Sequence, residues 1–230
     1  MPSTATQTSV TEASRNGAAG AVVDRVARLR KLSGDAPDAA RDDAWAWIAE
    51  LGRRAPRHRE RALAELDELF RAGTPSTGID GQTEGTLVTF TVHPVFDTGI
   101  AALTTAWLPW AGKRFDNAAA TGDNLLLRSA RWPSKLLWPF YGMRDAANRL
   151  AAFDFETRVE PGALDRDRDV LVIDYAPVES NPRVVIRSIR DELVEVVPGA
   201  HLGKMLWRSG SGESASHTLL AYFALKSELA

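Results

Sequence analysis

Cysteine is absent from the 230 residues, which excludes disulfides, a thiolate nucleophile, Cys-ligated zinc and iron–sulfur clusters. Histidine is scarce as well. His58, His93, His201 and His217 form no His-x-His, His-x-x-x-His or His–Glu pair at ligand spacing, so no metal or haem site is expected. Positive charge is not in excess: the formal net charge is −2, whereas binding to a phosphate backbone calls for clustered Lys and Arg, so no nucleic-acid partner is expected. There is no run of about 18 apolar residues to span a bilayer, and no basic start followed by an apolar run to serve as a signal peptide. The expected setting is therefore cytoplasmic, without stable membrane insertion. No Walker-type phosphate loop and no Gly-x-Ser-x-Gly elbow occurs, and no cofactor is implied.

What is present is an ordinary globular composition, 44% hydrophobic and 25% charged, whose periodicity changes along the chain. Residues 1–17 are rich in Ser, Thr and Ala and read as a disordered tail; residues 18–73 read as a helical segment. Val22, Val23, Val26 and Leu29 recur at helical spacing, a second helix runs from Pro37 to Arg54 with Trp45 and Ile48, and Leu63, Leu66, Leu69 and Phe70 stripe a third that stops at Gly73. Residues 74–84, rich in Gly with a Pro, read as a linker.

From Gly85 the period is two. "TLVTFTVH", "LAAFDFETRVEPG", "DVLVIDYAP", "HLGKMLWR" and "HTLLAYFALK" read as strands, and the four apolar residues Val170 to Ile173 predict a strand covered on both faces. "SGSGESAS" reads as a hairpin connection. Two helical insertions are expected, one over "FDTGIAALTTAW" and one starting at Asn181-Pro182 and running through "RVVIRSIRDEL", where Arg187 and Asp191 stand four apart. Short strands without βαβ alternation predict an α+β protein: an antiparallel β-barrel over residues 85–228 preceded by helices.

Aromatic crowding is the strongest local signal. Trp107, Trp110, Trp132 and Trp138 fall close together with Phe115, Phe140 and Tyr141, a pattern that suits a core or the wall of an apolar cavity. In "WAGKRF" the basic pair Lys113 and Arg114 is either a polar anchor at a cavity mouth or a solvated pair. Asp174 and Tyr175 in "IDYAP", and Arg190 to Glu192, are acid–base candidates or else a plain strand terminus and a charged helix face.

"WAGKRF" from Trp110, "VLVIDY" from Val170, and "IRDELVEVVPGAHLGKMLWR" followed by "YFAL" resemble uncharacterised bacterial lipocalin-like barrel proteins of calycin type that carry a W-x-G-K-x-F motif, over about residues 85–225. The Gly-x-Trp-x-Gly signature of related domains is not reproduced at the first strand. The resemblance implies a cavity barrel that takes a hydrophobic small molecule, and it carries over no catalytic residue. The expected function is binding of a lipid-like or polyketide-like ligand, with Trp107 and Trp110 as wall, Lys113 and Arg114 at the mouth, and Tyr175 and His201 as polar lining. The alternative is a cofactor-independent isomerase, cyclase or hydratase using Asp174, Tyr175, His93 or His201. Homo-oligomerisation is compatible with either.

Overall fold

Three helices occupy the N-terminal third of the computed structural model, which describes residues 4–91, 110–131, 141–183, 185–210, 212 and 215–228. They are α1 (Thr4–Asp35), α2 (Pro37–Arg54) and α3 (Arg59–Ala72). Pro37 opens α2 at a position where its missing N–H costs nothing. The helix α1 reaches back to Thr4, so most of the expected tail is helical. No Pro or Gly interrupts residues 4–16, and extending an established helix needs no new nucleus. Val22, Val26 and Leu29 of α1 are buried, and Val23 is exposed. Gly73 ends α3 in extended backbone, not in the left-handed conformation usual for a terminal glycine. Its reason is proximity: a Cβ there would lie 2.5 Å from Val194 Cγ2.

The remaining elements are β1 (Thr74–Pro75), β2 (Gly81–Phe90), β3 (Trp110–Asp116), β4 (Thr121–Leu127), β5 (Arg144–Ala146), β6 (Arg149–Pro161), β7 (Asp169–Asp174), β8 (Ile189–Val197), β9 (Ala200–Ser209) and β10 (Ser216–Ser227). Strands β2, β3, β4, β6, β7, β8, β9 and β10 each pair antiparallel with the next, and β10 returns to β2. The result is a closed eight-stranded up-and-down barrel with no free edge among these eight, which removes the hazard of unpaired strands. β5 folds back on β6, and β1 pairs with β8.

Two sequence expectations give way here. Residues 74–84 are not a bare linker: β1 and the start of β2 lie within them, because pairing with β8 and β10 supplies hydrogen bonds that outweigh the local turn residues. The helix expected from Asn181 is a single 3-10 turn, Ile186–Ser188, followed by β8. Over Ile189 to Val196 the pattern has period two: Ile189 and Leu193 join the interior cluster, while Val194 and Val196 join the cluster beneath the helices. Asn181 instead donates to the carbonyls of Asp154 and Tyr175, at 2.6 and 3.1 Å. The other expected insertion, over residues 96–107, lies outside the described residues.

The barrel wall separates two apolar clusters. Inside lie Trp110, Phe115, Phe155, Ile173, Tyr175, Met205 and Phe223 among others. Outside, Val170, Val172, Val194, Leu202, Tyr222 and Ala224 pack under Trp47, Ile48, Leu51, Leu66 and Phe70 of the helices. β7 is thus covered on both faces, Leu171 and Ile173 inward and Val170 and Val172 outward, as its unbroken apolar run predicts. Lys204, on the outer face of β9, is clamped by Asp67 of α3 at 2.6 Å and Asp165 at 2.7 Å, with the Phe70 ring 4.4 Å away.

Candidate site: a buried lysine centre in the barrel lumen

The W-x-G-K-x-F stretch forms β3, and its spacing poses a geometric problem. In a regular strand, residues three apart face opposite sides, so Trp110 and Lys113 would be separated by the wall. Gly112 resolves this by adopting φ +142° at a register shift between Trp110 and Gly112, a bulge that turns both side chains into the lumen. Phe115 then follows inward by ordinary alternation, and Arg114 points out.

Lys113 is therefore fully buried, not at a cavity mouth. Its Nζ donates to Asp191 Oδ2 at 2.9 Å, Asn124 Oδ1 at 2.9 Å and Tyr175 OH at 2.5 Å. Asn124 is the cross-strand partner of Lys113 on β4. Tyr175 follows the end of β7 and Asp191 lies on β8 opposite Ile173, so these two approach from the far side of the lumen. Tyr175 OH donates to Asp191 Oδ2 at 2.9 Å, Asn124 Nδ2 donates to Tyr175 OH and to the Phe153 carbonyl at 3.1 Å each, and Trp110 Nε1 donates to Asn124 Oδ1 at 3.1 Å. The rings of Tyr175, Phe155, Phe223 and Trp110 surround Nζ with centroids 5.2–5.8 Å away. Trp110 meets Phe223, and Phe155 meets Tyr175, edge to face.

Burial sets the electrostatics. Loss of solvent pulls the Lys113 ammonium below its ordinary value against the opposing pull of Asp191. Burial first, and the Asp191 carboxylate second, push the Tyr175 phenol well above its ordinary value, so it stays protonated. Asp191 Oδ1, fully buried, has no hydrogen-bond partner among the described residues.

The other sequence candidates lie elsewhere. Arg114 is on the outer wall, paired with Asp123, where it borders a groove of about 660 Å³ shared with Arg144 and Asp154. Asp174 also faces out. Its Oδ1 accepts the Ala176 N–H at 3.0 Å and its Oδ2 pairs with Arg158 at 3.1 Å, a turn-forming role. Trp107 and His93 fall outside the described residues. His201 is inside the barrel but on β9 four residues from Met205, the partner of Asp191, a separation of roughly 13 Å along the strand. There it meets Ser76 Oγ at 3.0 Å through Nδ1 and Ser227 Oγ at 3.3 Å through Nε2, beside the 74–80 segment whose Ile79 joins the interior cluster. Tyr175 and Lys113 are thus brought together, and Asp191 and Asn124 complete the centre. Asn124 could have been found from β4 alone, where Gly122, Asn124 and Leu126 share the inward register. Among the described residues no group of three or more His, Asp or Glu is placed to hold a metal ion.

Burial holds the His201 imidazole down at about 4 against 6.5 when unfolded. The folded state then binds fewer protons than the unfolded chain between these values, so stability present above pH 6.5 is lost as pH falls through 4. Urea melts of wild type and His201→Gln are expected to converge between pH 7 and 4, with the wild type losing up to about 3 kcal/mol more. Parallel pH profiles would contradict this.

No protein family, curated protein or solved structure matches the chain.

Proposed function

We propose that the barrel binds a small, largely apolar molecule in its lumen, against the aromatic rings around Lys113, with the Lys113–Asp191–Tyr175–Asn124 centre fixing its polar end. One observation carries this reading: four polar side chains, one ion pair among them, buried at the centre of an aromatic interior. Burying such a pair costs several kcal/mol per ion before attraction repays it, so packing alone is better served by apolar residues of the same volume. Convergent polar groups in an apolar lining are the mark of a ligand site. No cofactor is needed. No described helix is long and apolar enough to cross a membrane, and the cysteine-free composition goes with the cytoplasmic setting we propose.

The neutral fluorophore N-phenyl-1-naphthylamine tests the reading. It should bind saturably at one site per chain and quench tryptophan emission. Ala152→Phe, which enlarges the cross-strand neighbour of Asn124 inside the lumen, should abolish binding, and Asn124→Leu should weaken it at unchanged secondary structure. Absence of saturable binding to the wild type, or equal binding by all three, overturns the proposal.

A second reading, a cofactor-independent isomerase, cyclase or hydratase, draws on the same centre. Tyr175 as acid and Asp191 as base share a hydrogen bond, and Asp191 keeps one oxygen unused. Chemical conversion of a bound molecule by wild type but not by Tyr175→Phe would favour it. This reading moves the acid–base role from Asp174 and His201 to Asp191.

A further inference from the structure

Among the described residues, every donor of the lumen centre is engaged and one acceptor is not. Each of the three N–H bonds of Lys113 has an acceptor: Asn124 Oδ1, Tyr175 OH and Asp191 Oδ2. Both N–H bonds of Asn124 are used, on the Phe153 carbonyl and Tyr175 OH. The Tyr175 O–H is spent on Asp191 Oδ2 and the Trp110 N–H on Asn124 Oδ1. What remains is an acceptor, Asp191 Oδ1, on a side chain with no exposed surface. A buried carboxylate oxygen without a donor is costly, and the cost is removed only by a donor brought in from outside the cluster.

That unpaired acceptor selects among ligand head groups. A carboxylate or phosphate would set negative charge beside Asp191 and find the cationic N–H bonds already engaged. An ammonium would bring a second positive charge close to Lys113. A ketone, ether or ester offers acceptors where a donor is wanted. A hydroxyl supplies one O–H, carries no charge, and leaves the existing bonds in place.

We infer that the lumen site is selective for an uncharged hydroxyl compound, an alcohol or phenol with an apolar body, whose O–H donates to Asp191 Oδ1. The inference rests on the lumen-binding reading above and adds the chemical class to it. Asp191 is then the specificity-determining residue. Lys113 and Tyr175 hold its other oxygen in place.

Displacement of bound N-phenyl-1-naphthylamine from the wild-type protein by decan-1-ol, sodium decanoate and methyl decyl ether provides the test. The alcohol is expected to compete at least about tenfold more strongly than either of the others, because only it satisfies the buried acceptor. In Asp191→Asn, where a carboxamide replaces the carboxylate, that advantage should shrink to less than about threefold. The double variant Lys113→Gln/Asp191→Asn, uncharged throughout, gives the same readout if the single variant does not fold. If all three compounds compete alike, or decanoate competes best, the hydroxyl assignment is overturned while lumen binding stands. If the fluorophore itself fails to bind, both fall.

Discussion

Lys113→Ala is expected to cost about 3–5 kcal/mol of folding stability, the range for removing one partner of a buried ion pair. For a chain of this length that corresponds to roughly 6–20 °C in the thermal midpoint. The loss is not that of one contact. Without the ammonium, the Asp191 carboxylate keeps its burial and loses its counter-charge, Tyr175 OH and Asn124 Oδ1 each lose a donor, and four rings lose the cation they surround. The double change Lys113→Met/Asp191→Leu removes both charges and keeps the volume, and Tyr175 OH retains Asn124 Nδ2. It should recover more than half of the deficit, since apolar replacement of a buried pair is commonly neutral or better. Circular-dichroism melts of the three proteins decide the matter. A double variant as unstable as the single one would mean that the ion pair contributes to stability for its own sake, and would remove the argument for a functional origin.

Gly112→Ala is the second large effect, about 3–5 kcal/mol or failure to fold. A Cβ at position 112 would sit 2.1 Å from the Thr83 carbonyl oxygen and 3.0 Å from the Gly85 nitrogen, both backbone atoms of the neighbouring strand, at a φ of +142° that side chains rarely adopt. Neither obstacle can rotate away. Gly81 offers the comparison: its φ is +68° with nothing within 4 Å of a built Cβ, so Gly81→Ala bears conformational strain alone, about 1–2 kcal/mol. Urea midpoints of the two variants should differ accordingly. Equal midpoints would show that the bulge tolerates a side chain and is not what aims Lys113 inward.

The same bulge explains what could be read from the sequence and what could not. The start of α2 was legible because Pro37 opens it, and the two-sided burial of β7 because Val170 to Ile173 admit no polar face. Barrel closure followed from repeated short strands without crossover helices. The side on which Lys113 stands was not legible. Period-two reasoning assigns faces only in a regular strand, and one residue of slip moves a charge from the outer face to the lumen. Asp191 was obscured differently. Asn181-Pro182 is a genuine helix-start signal, and the helical reading it invites sets Arg187 against Asp191 as an exposed pair, whereas in β8 Asp191 faces the lumen and Arg190 and Glu192 the outside, 2.8 Å apart. Asn124 carried no motif; its inward register on β4, with Gly122 and Leu126, marks it.

These placements give the motif a defined geometry. Trp110, Lys113 and Phe115 face one interior because a glycine between them bends the strand, and the polar atoms they meet come from three other strands or their ends. A centre assembled from β3, β4, β7 and β8 holds its geometry only while the barrel is closed, so ligand binding and barrel stability should be linked.

A crystal structure of the protein isolated from its native host, at a resolution that distinguishes water from a larger molecule, tests lumen binding directly. Lumen binding predicts continuous density for an apolar molecule inside the barrel, ending within hydrogen-bonding distance of Asp191 Oδ1. A lumen filled by side chains, with Asp191 Oδ1 served by nothing more than an ordered water, would contradict it.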